Sequence, residues 1–293
     1  MKLKLNKKIT ENKDLSNNAI LAYIGLMSCL KIDYEPIFIN RYMMSYYLTG
    51  KRKYIRRFDE SLKLGIKELI DNAIIDCYEH SSTNYFIGFK NIILEQEDKF
   101  VFVDFDDVRK IMSCDYHGKI SLLRFYISLL GTFISKNRVT DIRDPNKYNN
   151  VLGMMSQEYL ANLVGISEHT AIEYIKLLEE LELLYVSRCS FMFKDNIGKV
   201  KRHNNIYGKY KDREIIDEFT KVRYEMYDDL HKTHISSAAN KSRSLMQKYN
   251  CLRNGVVYDK DVVNEIYKYI CEYNEKHPKK SKDMSVFSKY LTN

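Results

Sequence analysis

Five cations, Lys51, Arg52, Lys53, Arg56 and Arg57, fall within seven residues of the stretch LTGKRKYIRRFDESLKLGIKELIDNAII, residues 48–75. Side chains of this type neutralise phosphates, and arginine can also fork onto O6 and N7 of guanine in a major groove. Ile55, Phe58, Leu62, Ile66 and Leu69 recur through the stretch at helical spacing. The expectation is a helix from Lys51 that turns Ile55 and Phe58 inward and Arg52, Lys53, Arg56 and Arg57 outward. A solvated helix end is the blander reading of a charge run. Against it, the N-terminus is the end of a helix where cations are electrostatically disfavoured. Five of them there point to an anionic partner.

Other chemistry is sparse. His231 and His234, in HKTH, are spaced to share a metal if the segment is helical, but no carboxylate cluster accompanies them. The three acids of DFDD (104–107) open an expected helix, where acids stabilise the dipole. There is no G-x-x-x-x-G-K-[ST] phosphate cradle, no H-E-x-x-H, no His-hydrophobe-His of a nicking-joining enzyme and no C-x-x-C. We therefore expect a non-enzyme with no metal and no cofactor.

A second segment, SQEYLANLVGISEHTAIEYIKLLEELELLYVSR (156–188), repeats the architecture with different charges. Leu160 and Ala161 sit on a first helix, Gly165 at a turn, Ile166 is expected buried, and Ser167 caps a second helix. Ala171, Ile175, Leu178 and Leu181 form the inward stripe of that helix. This is the pattern of a helix-turn-helix, whose second helix enters a major groove while the first braces it. Ser167, His169, Thr170, Glu173 and Lys176 form the entering face, and Glu168 or Glu173 can accept from cytosine N4. Glu168, Glu173, Glu179, Glu180 and Glu182 stand against Lys176 alone, which opposes phosphate approach. A basic wing compensates: Lys194, Lys199, Lys201, Arg202, His203 and Lys209 are opposed only by Asp195.

These stretches need a frame. Residues 16–30 read as a helix capped by Ser16, 36–40 as a short strand, 40–48 as a short helix closed by Gly50, and 73–89 as a hairpin. The order helix, strand, helix, turn, helix, hairpin is that of a winged helix-turn-helix. It recurs from the helix at 119–135 through a strand at 150–155 to a hairpin around KDNIG, with 99–112 as a connecting strand and helix. Residues 213–234 and 259–277 read as helices. The expected fold is mainly α with small β-hairpin wings, an α+β arrangement of two winged helix-turn-helix domains in tandem plus a C-terminal helical region. The expected divisions are a basic arm (1–14), domain 1 (15–98), domain 2 (99–211) and a helical region with a basic tail (212–293).

The 293 residues carry a net charge of +8, a mild lean towards a polyanion. The N-terminus lacks the apolar stretch of a signal peptide, and no run approaches the roughly 20 apolar residues that span a bilayer. The six scattered cysteines read as reduced packing residues, so a cytoplasmic protein is expected.

The L-S-x-x-x-x-L-x-Y start at Leu15–Tyr23 and the LLRFYISLL helix opening the second copy resemble replication initiator proteins of bacterial plasmids and phages. The second copy, through LEELELLYVSR and NNIYGKY, also resembles the winged helices of Firmicute phage replisome organisers. The resemblance covers residues 15–211 and is one of architecture. It implies double-stranded DNA with repeated origin sites as partner, a dimer-to-monomer balance, and recruitment of a host helicase or its loader. The acidic second helix departs from that pattern. A transcription regulator dimerising through its C-terminal helices and a protein-interaction adaptor for helicase loading stay open.

Overall fold

Alternation of lysine with leucine in KLKLN gives a strand with one apolar face. The computed structural model describes residues 2–30, 36–52, 54–88, 99–133, 150–188, 191–194, 200–202, 204–225, 232–234 and 237–291. In it, KLKLN is strand β1 (Lys2–Asn6), followed by the single turn α1 (Lys7–Thr10). β1 pairs antiparallel with Phe100–Asp104, and Leu3 and Leu5 are buried opposite Val103 and Val101. Residues 2–10, expected as part of a basic arm, are therefore a strand and a turn. The lysines are the solvent face of a strand whose other face belongs to the core.

The first repeat begins with α2 (Asn17–Cys29). Its N-cap Ser16 accepts a hydrogen bond from the Ala19 amide at 3.2 Å. Strand β2 (Ile37–Asn40), helices α3 (Arg41–Thr49) and α4 (Arg56–Asp71), and the hairpin β3 (Asp76–His80) and β4 (Asn84–Gly88) follow. The three strands are antiparallel in the order β2-β4-β3, with Ile37 opposite Ile87 and His80 opposite Tyr85. Phe89, the last residue of the expected hairpin, lies outside the described residues.

Strand β5 (Phe100–Asp104) and helix α5 (Phe105–Ser113) lead into the second repeat. It comprises α6 (Lys119–Gly131), β6 (Leu152–Met155), α7 (Gln157–Val164), α8 (Glu168–Glu180) and β7 (Leu184–Ser187). Short strands β8 (Phe191–Lys194) and β9 (Val200–Arg202) come before β10 (Asn205–Lys209), which lies between β6 and β7. Element order and strand order thus match the first repeat. The molecule is mainly helical with small antiparallel sheets. The single expected hairpin around KDNIG is two pairings, β7 with β10 and β8 with β9, and the turn itself lies outside the described residues.

Helix α9 (Arg213–Glu225) packs on β10 and β7. Of the expected helix over 213–234, residues 213–225 are helical, whereas 232–234 is strand β11 (Lys232–His234), hydrogen-bonded to β8. His234 is on this strand, and His231 lies outside the described residues. Helices α10 (Ser237–Arg253) and α11 (Lys260–Lys276) complete the chain's long elements, the latter capped by the Asp259 carboxylate.

The chain forms two compact units, residues 1–189 with 204–226, and residues 190–203 with 227–293. Both repeats lie in the first unit and share one core, in which α2 packs against α4 and α6. Arg124 on α6 is buried and donates to the Leu15 carbonyl at 2.8 Å and the Asn12 carbonyl at 2.5 Å, tying the start of the first repeat to the second. In the second unit, Leu245, Tyr249 and Leu252 of α10 meet Val263, Ile266 and Ile270 of α11.

The crossing of α2 and α4 depends on one missing side chain. A Cβ at Gly65 would lie 2.0 Å from the Asn18 backbone oxygen and 2.8 Å from the Ala22 Cβ. Gly65→Ala must push the two helices apart. We expect a loss of about 3 kcal/mol, the upper end of ordinary overpacking costs, read from urea unfolding midpoints. An unchanged midpoint would mean that the helices do not meet at this position.

Candidate nucleic-acid interface

In the first repeat, Asn40 accepts from the Tyr42 amide at 2.8 Å and so caps α3, which ends at Gly50 with φ 67°. Only a glycine adopts that left-handed turn without strain. Lys51, Arg52, Tyr54 and Ile55 are not helical, and α4 starts at Arg56 instead of the expected Lys51. The reason is electrostatic and local. Ile55 occupies the N-cap without a side-chain hydrogen bond, and extending the helix back through the cations would stack them on its positive end. Lys51 and Arg52 therefore stand on the connecting loop, while Arg56 and Arg57 open the helix. Lys53 lies outside the described residues.

Lys51, Arg52, Arg56 and Arg57 are exposed. Arg56 Nε meets Glu60 Oε1 at 3.0 Å, an open surface pair of little energetic weight. Among the described residues the side chains of Lys51, Arg52 and Arg57 form no ion pair or hydrogen bond. Phe58 is buried as expected, but Ile55 is 39% exposed and does not face the core. It precedes the helix, so helical spacing from Phe58 does not apply to it. Beside the run, the half-exposed rings of Tyr42 and Tyr54 meet edge-on with centroids 5.3 Å apart. Sequence reasoning passed over this pair. Its one signal was a tyrosine set inside a cation run.

The α4 start is fixed from beneath. Arg41, the first residue of α3, is buried and donates from Nε and Nη2 to the two Asp59 carboxylate oxygens at 2.8 and 3.0 Å. Its Nη1 donates to the Tyr85 hydroxyl at 2.9 Å. One guanidinium thus ties α3, the first turn of α4 and strand β4 together.

In the second repeat, Gly165 ends α7 with φ 72° and Ser167 caps α8, accepting from the Thr170 amide at 3.1 Å. Ser167, His169, Thr170, Glu173 and Lys176 all fall in the first three turns of α8, so the structure brings this predicted set together. The Ser167 and Thr170 hydroxyls are themselves 2.8 Å apart, and His169 Nε2 lies 3.3 Å from Glu173 Oε1. Ile166, expected buried, is half-buried. The acidic face is partly neutralised from within, because Arg188 Nη1 donates to Glu179 Oε1 at 2.9 Å.

The expected basic wing divides. Strands β8 and β9 belong to the second unit. Lys199 and His203 lie outside the described residues, as do the side chains of Lys194, Lys201 and Arg202. Lys209 is a correction: its Nζ donates to Asp104 Oδ2 at 2.6 Å and Asp107 Oδ2 at 3.3 Å, so it is a partly buried strut, not a wing cation. The DFDD acids consequently hold Lys209 and the Tyr126 hydroxyl, and the N-cap Asp104 makes no side-chain cap bond.

Burial pushes the Asp104 carboxyl up, but the Lys209 hydrogen bond and the charges of Lys209, Lys211 and Lys2 outweigh it and hold the group below its ordinary value. Burial lifts Asp212 nearby, and there it prevails over Lys211 and Lys209. A carboxylate depressed in the folded state adds stability that is complete above its unfolded value, about 3.9. That stability is lost as pH falls through the folded value. Lys209→Met is therefore expected to cost more at about pH 6 than at about pH 3, measured as denaturant midpoints at both. Equal costs would show that the pairing adds nothing.

Among the described residues no group of His, Cys, Asp and Glu side chains could hold a metal ion, and no helix is long and apolar enough to cross a membrane. Set against protein-family models, curated proteins and solved structures, the chain matches none of them.

Proposed function

We propose that the chain is a sequence-specific double-stranded DNA-binding protein with two winged helix-turn-helix domains in tandem, acting as a replication initiator of a plasmid or phage. The observation that carries this reading is the first-repeat cation set. Lys51, Arg52, Arg56 and Arg57 are exposed around the start of a second helix, three of them without an ion pair among the described residues, where an inserted helix meets phosphates and base edges. The repeated strand orders β2-β4-β3 and β6-β10-β7 support the winged-helix assignment. The shared core supports an initiator over a regulator. Two non-identical reading heads fixed in one unit suit a non-palindromic repeat bound by a single chain.

The test is recovery and sequencing of fragments that the purified protein retains from its parental replicon. Clustered direct repeats are the expected result. Promoter palindromes would replace the initiator with a transcription regulator. No enrichment would overturn the DNA reading, leaving a protein-docking adaptor that uses the exposed Glu173 and Glu180 on α8.

A further inference from the structure

A cavity of about 600 Å³ opens where the ends of four helices of the first unit meet. The end of α3 supplies Thr49, the end of α5 supplies Met112, and the loop before α4 with the starts of α4 and α6 supplies the charged rim. The volume falls within the range of small-molecule sites, roughly 300–1,000 Å³.

Its rim and floor differ in chemistry. Lys51, Arg57 and Lys119 line it, and none of the three makes a side-chain ion pair or hydrogen bond among the described residues. The N-caps of α4 and α6, Ile55 and Gly118, provide no side-chain acceptor, so two uncapped helix N-termini of 16 and 13 residues open at the same rim. Both features attract an anion. The floor is apolar: Phe58 and Met112 are buried, and Ile120 and the Tyr116 ring are half-buried beside them. Asp115, His117 and Ser61 add polar groups at the wall.

An inorganic anion would leave the floor unused, and a lipid tail would leave Asp115 and Ser61 unused. We propose that this cavity binds a nucleoside monophosphate, with its phosphate on Lys51, Arg57 and Lys119 and its base on Phe58, Tyr116 and Ile120, the Asp115 carboxylate accepting from a base N–H. Lys51 and Arg57 also belong to the DNA-binding set. Occupancy of the cavity therefore competes with duplex for the same two cations and makes DNA affinity sensitive to free nucleotide, by a factor that works equally in both directions. The competition rests on the DNA-binding reading; the nucleotide site does not.

The experiment is calorimetric titration of the full-length protein with dAMP, and separately with deoxyadenosine and with inorganic phosphate. One saturable dAMP site is expected, at least about tenfold tighter than either fragment, since both halves of the site are then used. Lys119→Gln separates the two ideas because Lys119 is outside the DNA-binding set. It is expected to weaken dAMP about tenfold or more, one charge-assisted contact being lost, while leaving duplex affinity and Tm unchanged. Absence of saturable dAMP binding overturns the site, as does phosphate binding equal to that of dAMP, or full dAMP binding by Lys119→Gln. Duplex binding without dAMP binding leaves the function standing and removes the inference. The reverse result removes the function and keeps the nucleotide site.

Discussion

Replacing Lys51, Arg52, Arg56 and Arg57 together by glutamine is expected to lower duplex affinity about a thousandfold near 0.15 M salt. Each cation that neutralises a phosphate contributes roughly 0.9 to the slope of log K against log salt, so four account for a slope change of about 3 to 4. Both quantities come from one fluorescence-anisotropy series across salt concentrations. The fold should survive the change, because among the described residues three of the side chains make no ion pair or hydrogen bond and the fourth makes the surface pair with Glu60. Lys176→Gln in the second repeat should move the slope by about 0.9 at most. A quadruple variant that keeps the parental slope would reduce the run to a solvated helix end. It would also leave the acidic α8 as the more informative surface.

How much of this could be read beforehand depended on the distance over which each residue is determined. Ser16, Gly50, Gly165 and Ser167 act on amides within a few residues, and their capping roles follow from residue type alone. The hairpin at 76–88 and the stripe Leu62, Ile66 and Leu69 are equally local. The strand at residues 2–6 is not, for it needs a partner almost a hundred residues away. Its period-two alternation is present in KLKLN, but a strand of five residues with two lysines is not told from a basic arm without its partner. Lys209 is the same case in the site. In a linear reading it is indistinguishable from its basic neighbours, and only the approach of Asp104 across 105 residues removes it from the interface.

The cation run was legible as chemistry and misread as geometry. Helical spacing extrapolated from Phe58 to Ile55 and on to Lys51 ignores that Gly50 stops α3 one residue earlier and that α4 begins only at Arg56. Putting two of the cations on the connecting loop lets Lys51 share the rim of a cavity with Lys119, which no periodicity argument connects. The Arg41–Asp59 pair was invisible for a related reason. Arg41 opens an amphipathic helix and Asp59 sits among exposed charges, so each looks like surface until the fold buries both to about 5–6% exposure.

That burial gives the second large effect. Asp59→Ala is expected to destabilise the first unit by about 3–5 kcal/mol in urea unfolding, because it strands the Arg41 guanidinium without its counter-charge. Burial alone would lower the Arg41 pKa, and the hydrogen bonds to Asp59 and Tyr85 more than reverse that. Replacing both partners, as in Arg41→Met with Asp59→Leu, should recover most of the loss, since the apolar pair leaves no unpaired charge. Asp59→Ala also separates two views of the DNA site. If only charge count mattered, removing an acid two residues from Arg57 would strengthen duplex binding. Asp59, however, anchors the first turn of α4 on α3 and β4, so its loss should loosen the helix start and weaken binding in spite of the more favourable charge. Glu60→Gln removes a neighbouring acid that pairs with Arg56 on the surface, and it should strengthen binding modestly. Opposite signs from adjacent carboxylates would show that position, not charge alone, makes the run a recognition surface; equal gains from both would show that it is electrostatic only.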